Sequence, residues 1–267
     1  MSLLEAIGLG ALQGITEFLP VSSSGHLVVA RLVLEIEGMP IIFDILLHVA
    51  TLLAVVLVFR NRLFALSLST LKFLFRRAQP SDKENLRIVV IILLATLCTA
   101  IIGFALSFLD LGRYPKVVFA LFIVTGLVLL FTKTVKGSQD LSSLSVRHGF
   151  VAGIAQGLGV LPGISRSGIT IAGALYTGLS RETAGEFSFL LSIPAILGAL
   201  ILKVGDIGDL GTQMGVGVLL MGMLASFAIG LLSLLVLLKI IKKGRIYLFS
   251  VYLIPLGVVG LILQFSN

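Results

Sequence analysis

The sequence predicts an all-α integral membrane protein of six transmembrane helices plus two re-entrant helix-loop-helix segments, arranged as an inverted-topology repeat. Three observations predict it: composition, the lengths of the apolar runs, and a likeness between the two halves of the chain. Of 267 residues, 57% are hydrophobic, 12% are charged and none is tryptophan. Mean hydropathy is +1.13. A water-soluble chain of this length needs far more polar surface. The formal net charge of +7 does not indicate nucleic acid, because the basic residues sit in short segments between apolar runs, where they orient a membrane chain.

The elements follow in order. The first apolar segment, about 3 to 34, is interrupted by "FLPVSSSGH", where proline breaks the helix and hydroxyls cluster. Spans then fall at roughly 41 to 59, 86 to 108 and 117 to 132. A second broken segment, about 146 to 180, carries "LPGISRSG", and further spans follow at 186 to 202, 216 to 238 and 246 to 265. Each span is long enough for a hydrocarbon core of about 30 Å. Irregular backbone at membrane depth is tolerated only where protein or a water-filled cavity satisfies its polar groups, so the two interrupted segments are expected to be re-entrant. The single cysteine, Cys98, lies inside an apolar run and reads as a small packing residue with no intrachain disulfide. The first residues carry no basic stretch and no cleavage site, so no removable signal peptide is expected.

Orientation follows from lysine and arginine. The loops around 60 to 87, 133 to 147 and 239 to 245 hold fourteen of the twenty basic residues, which makes them cytoplasmic. The opposite side carries Arg31, Arg113, Lys116 and Lys203 with Glu35, Glu37, Asp110, Asp206 and Asp209. Both termini then face outward. Arg181, before the span at 186 to 202, falls on the cytoplasmic side, and Arg166 alone belongs to neither group. "LKFLFRRAQPSDK" reads as a cytoplasmic connector touching anionic lipid.

The two halves resemble each other. "QGITEFLPVSSSGH" from Gln13 aligns with "QGLGVLPGISRSGI" from Gln156, and "FDILLHVATLLA" from Phe43 aligns with "FSFLLSIPAILG" from Phe187, at offsets of 143 and 144. Three spans separate equivalent points, so halves 1–140 and 141–267 of one membrane domain insert with opposite topology. Their two loop tips are expected to meet near the midplane.

Those tips carry chemistry. Gln13 and Glu17 are four residues apart, so they share a helix face and can converge on one proton or cation. Ser22, Ser23, Ser24 and His26 offer nucleophilic hydroxyls and a proton-transferring imidazole. The second tip supplies Arg166, whose planar fork suits a phosphate bidentately, flanked by Ser165 and Ser167 with Thr170 one turn on. Gly163 and Gly168 let backbone approach a ligand. The set describes a phosphate site. A serine cluster at a helix break often serves only the backbone, but a carboxylate in the membrane costs about 2.5 kcal/mol or more, so Glu17 and Arg166 carry the functional reading. His48 and His148 read as packing histidines, Asp44 as interfacial, and Glu186 as a helix-start acid.

These residues resemble the undecaprenyl-diphosphate phosphatase family, also known as the bacitracin-resistance family. "QGITEFLPVSSSGH" is similar to its [E/Q]-x-x-x-E motif with the adjoining serine-histidine segment, and "PGISRSGIT" to its P-G-x-S-R-S-x-x-T motif. The resemblance extends over essentially the whole chain. It implies a multi-pass cell-membrane enzyme that hydrolyses a C55 polyprenyl diphosphate to the monophosphate, recycling the lipid carrier of cell-wall synthesis, with its site open to the outer face. It implies a divalent cation, Mg²⁺ or Ca²⁺, held by Glu17 and Gln13 with the substrate's own oxygens; Gln13 stands where many members have Glu. The implied catalytic residues are Glu17, Ser23, His26 and Arg166, with Ser22, Ser24, Gly163, Ser165, Ser167 and Thr170 binding substrate. Ser23 is the favoured nucleophile, and attack by a water beside Glu17 stays open. Expected partners are the polyprenyl diphosphate and membrane lipids; a homodimer is compatible with the sequence, and nucleic acid is not expected. The alternative is a transporter or flippase of an anionic lipid, since broken helices in inverted repeats are also a transport architecture.

Overall fold

The computed structural model describes residues 2–34, 41–203 and 215–266. Glu35, Glu37, Asp206 and Asp209, counted above as outward acids, lie outside the described residues. The described chain is helical: α1 Leu3–Phe18, α2 Ser23–Val33, α3 Ile41–Val58, α4 Arg60–Leu74, α5 Lys83–Ser107, α6 Pro115–Phe131, α7 Val146–Leu158, α8 Arg166–Tyr176, α9 Arg181–Lys203, α10 Val216–Lys242 and α11 Ser250–Ser266.

Local chemistry sets the ends. Ser2 accepts from the Glu5 amide while the Glu5 carboxylate accepts from the Ser2 amide at 2.7 Å, a capping box that starts α1. Pro20 forces the preceding residue toward extended backbone, and Leu19 has ψ 136°, so α1 stops at Phe18. Ser22, at φ 69°, turns the chain, and its hydroxyl caps α2. In the second half α7 runs out at Gly159, Gly163 takes φ +100°, and Ser165 caps α8 by accepting from the Gly168 amide at 3.1 Å.

Among the described residues, five helical stretches are long and apolar enough to cross a membrane, and a sixth is reached if the bent pair α3–α4 counts as one span. The protein is a multi-pass membrane protein. On α5 the residues Leu93, Leu97, Ile101 and Phe104 are all exposed along one face, an apolar stripe that suits lipid and not water.

The sequence reading treats 60 to 87 as a loop, and the structure corrects it. The helix resumes at once as α4, bent by 83° from α3. Arg60 and Arg62 end the apolar run and open α4, on which Phe64, Leu68 and Leu71 remain exposed beside the charges. Glu186, read as a helix-start acid, lies inside α9 and accepts from Arg62 Nε at 2.7 Å.

Packing is crossed between the halves: α1 lies along α10, α7 along α5, α6 along α11, and α3 against α9. Small residues make the close approaches. A Cβ at Gly14 would lie 2.7 Å from the Ser226 carbonyl oxygen and 2.8 Å from the Gly230 nitrogen, and one at Gly153 would lie 2.5 Å from the Ala95 carbonyl oxygen. These are backbone-to-backbone contacts of the kind that small residues every fourth position allow in lipid.

Candidate active site

The two helix breaks interlock. Ser22 Oγ accepts from the Gly163 amide at 3.0 Å and from the Gly25 amide at 3.3 Å, so one hydroxyl ties its own helix to the opposite tip. Ser167 Oγ donates to the Phe18 carbonyl at 3.0 Å in the reverse direction. Thr125, on α6, donates to the Gly163 carbonyl at 2.9 Å and accepts from the Ser165 amide at 3.1 Å. The tips leave no room for side chains between them: a Cβ at Gly25 would lie 2.8 Å from the Gly163 nitrogen.

Against this latch the charged groups converge. Glu17 is buried, and its Oε1 pairs with Arg166 Nη2. Its Oε2 accepts from Ser23 Oγ at 2.7 Å and from Gln13 Nε2 at 2.8 Å, and faces His48 Nε2 at 3.3 Å. An unpaired carboxylate here would be prohibitively costly; with a guanidinium and two neutral donors it is held. A cavity of about 440 Å³ opens beside it, lined by Glu17, Ser22, Ser23, Ser24, Ser165 and Arg166 on its polar side. Ile45, Ala195, Ile196 and Ala199 form an apolar wall. A larger cavity of about 600 Å³ lies away from both motifs, lined by the Arg62–Glu186 and Lys242–Glu182 pairs and by Glu84, Lys136, Asp140 and Arg181.

Not every residue expected at the site faces that cavity. His26 does not line it. Its Nδ1 lies 2.8 Å from the Ser22 carbonyl, which turns Nε2 away to the Tyr252 hydroxyl at 2.8 Å, and Phe122 packs on the ring at 5.0 Å. Thr170 donates to the Arg166 carbonyl at 2.7 Å, and Gly163 and Ser167 serve the latch. Conversely His48, read from sequence as packing, lines the cavity at Glu17, as do Thr99 and Gln156. Gln156 is the counterpart of Gln13 in the repeat, and that alignment is the signal by which it could have been found. Asp44, read as interfacial, is paired with Arg31.

The donor set also bears on a cation. Among the described residues no group of three His, Cys, Asp or Glu side chains could hold one. Gln13 Oε1, however, is buried with no hydrogen-bond partner among the described residues. The Gln13 amide turns Nε2 and not Oε1 to Glu17 Oε2, and Gln13 does not line the cavity, so of these two residues Glu17 alone presents oxygen where an ion bound to phosphate could share it.

Comparison with known proteins settles the family. A sequence profile described as "Bacitracin resistance protein BacA" matches residues 6–259. The chain belongs to the bacitracin resistance protein BacA family. Relatives named "Undecaprenyl-diphosphatase" include one from Treponema denticola, 45% identical over 99% of this chain and 98% of its own. Another, from Desulfosudis oleivorans, is 41% identical over 98% of each. A third, from Borrelia recurrentis, is 38% identical over 95% of this chain and 96% of its own. BacA-family membership thus covers both broken segments, α1–α2 and α7–α8, that build the cavity.

Proposed function

We propose that the protein is a membrane phosphatase that hydrolyses undecaprenyl diphosphate to the monophosphate and inorganic phosphate, recycling the lipid carrier of cell-wall synthesis. The observation that carries this reading is the meeting of Glu17, Ser23 and Arg166, from two separate helix breaks, at one cavity with an apolar wall. Full-length similarity to proteins named undecaprenyl-diphosphatase supports it.

The geometry accounts for the chemistry. Arg166 holds the diphosphate oxygens, and the prenyl chain runs along Ile45, Ile196 and Ala199 toward lipid. Ser23 Oγ–H already points at Glu17 Oε2, so the carboxylate takes the proton as Oγ bonds to the terminal phosphorus. The bond from that phosphorus to the bridging oxygen breaks, and its electron pair leaves with the lipid monophosphate. Water then attacks the phosphoserine, the phosphorus–Oγ bond breaks as Oγ takes back the proton held by Glu17, and inorganic phosphate leaves carrying the oxygen and hydrogens of the water. Arg166 stabilises the charge on the phosphoryl oxygens throughout. A divalent cation, Mg²⁺ or Ca²⁺, held by Glu17 and substrate oxygens, would supply further neutralisation of that charge. Ser22 and Ser165 present hydroxyls to the same oxygens.

The arrangement in the membrane belongs to the same proposal. Halves 1–140 and 141–267 are inverted repeats, a reading supported by the exchange of partners in which α1 rests on α10 and α7 on α5. Both termini face outward. The site opens to the outer face of the cell membrane, through a second cavity of about 350 Å³ that shares Ser24 and His48 with the first and reaches Asp110.

The test is release of inorganic phosphate from polyprenyl diphosphate by the purified protein in detergent, with Mg²⁺ and Ca²⁺ added in turn. Turnover supports the phosphatase. Binding without turnover under every cation would favour the transporter reading.

A further inference from the structure

His48 stands where the sequence motif would put His26. It sits on α3, outside both motifs, yet three contacts fix it at the reacting groups. Its Nδ1 lies 2.8 Å from the carbonyl of Asp44, one turn earlier. The Asp44 carbonyl and the Glu17 carboxylate both only accept, so Nδ1 carries a hydrogen toward Asp44 and the contact with Glu17 needs one on Nε2 as well: the ring engages Glu17 as an imidazolium and cannot flip without losing a bond. Asp44 is itself paired with Arg31 of α2. The ring so held aims Nε2 at Glu17 Oε2, 3.3 Å away, and it borders both the reaction cavity and the outer one.

The surroundings of Glu17 indicate what this contact does. Among the described residues Oε1 is held by Arg166 alone, whereas Oε2 is approached by Gln13 from the preceding turn, Ser23 from α2 and His48 from α3. A diphosphate carries more negative charge than one carboxylate and competes for Arg166. Once the guanidinium turns to substrate, Gln13 and His48 are the contacts left to keep the carboxylate facing Ser23. We propose that His48 is a positioning residue for the reaction, acting through Glu17 to hold Oε2 in line with the Ser23 hydroxyl. The inference rests on the phosphatase reading, and it adds an imidazole from α3 to the groups on α1, α2 and α8.

A carboxylate displaced by about 1 Å loses roughly 10²-fold in rate, with little effect on binding. His48→Leu is therefore expected to lower kcat by about 10²-fold with KM changed by less than about threefold. His48→Gln, which restores a nitrogen donor at similar reach, should recover at least about tenfold of that loss, and added imidazole should restore part of the activity of His48→Ala. Unchanged kcat in His48→Leu overturns the proposal. So does a loss of kcat that neither His48→Gln nor imidazole recovers. The contact itself is tested without turnover, by a double-mutant cycle of His48→Leu with Glu17→Gln read as melting temperature in detergent. Additive shifts also overturn the proposal. Absence of phosphate release by the unsubstituted protein would instead overturn the phosphatase reading, and the thermal cycle would still judge the contact.

Discussion

Glu17 and Arg166 stand 149 positions apart in the chain and form one buried ion pair, each at the broken end of its own helix pair. Removing one member leaves the other charge uncompensated. Glu17→Gln and Arg166→Met are each expected to destabilise the protein by about 3–5 kcal/mol, and the double variant to recover much of that loss. None of the three should release phosphate. Arg166→Lys should stay folded, since the ammonium still pairs with Glu17, yet turn over about 10²-fold more slowly because it lacks the planar fork. Thermal denaturation in detergent and phosphate release, scored separately, check these outcomes. Normal turnover in Arg166→Lys would remove the bidentate role.

The neighbouring serines should separate by kind of defect. Ser23 points at Glu17, so Ser23→Ala should abolish turnover while leaving substrate binding and melting nearly unchanged. Ser22 is the acceptor for the buried Gly163 amide, so Ser22→Ala should cost about 1–3 kcal/mol of stability and reduce turnover less. Mass detection of a phosphorylated Ser23 would establish the covalent route; an active Ser23→Ala protein would assign the attack to water.

Glycine substitutions test the crossed packing. Gly14→Leu and Gly153→Leu put a Cβ within 2.7 Å and 2.5 Å of backbone oxygens on α10 and α5, and neither backbone can yield cheaply. Both variants should fail to yield a monodisperse folded protein. Gly8→Leu is the control, because nothing lies within 4 Å of a Cβ there. Size-exclusion profiles of the three proteins decide the matter; equal behaviour would argue against these interfaces.

Sidedness is checked by cysteines in a Cys98→Ser background. Asp110→Cys should react from outside whole cells with an impermeant thiol reagent. Gln79→Cys and Ser142→Cys should react only after the membrane is opened. Labelling of all three from one side would refute the topology.

The parts of this protein that could be read directly from sequence are those where residue type conflicts with lipid. Pro20, Gly163, Glu17 and Arg166 stand out because each is costly in an apolar run, and the cost points to a break or a charge pair. His48 did not stand out: within "FDILLHVATLLA" a lone histidine on a buried helix is chemically indistinguishable from a packing residue until Asp44 and Glu17 are seen on either side of it. The orientation of His26 was equally hidden, since adjacency to Ser23 in sequence says nothing of the Ser22 carbonyl that turns its ring to Tyr252. The elbow into α4 was hidden because basic residues read equally as loop and as surface helix. Gly10, Gly14, Gly149, Gly153 and Gly157 recur every fourth position, a legible pattern of close packing, but the pattern names no partner helix.

The exchange of partners between halves imposes an order on biosynthesis. α1 leaves the ribosome first, carrying Gln13 and Glu17, while the helix it rests against begins at Val216, about 200 residues later and roughly 10–40 s at ordinary elongation rates. Arg166 follows Glu17 by 149 positions, so the guanidinium is made before the groove that receives α1. A chain stopped before α10 therefore lacks the surface on which the first carboxylate-bearing helix rests, and no half-active fragment is expected from it.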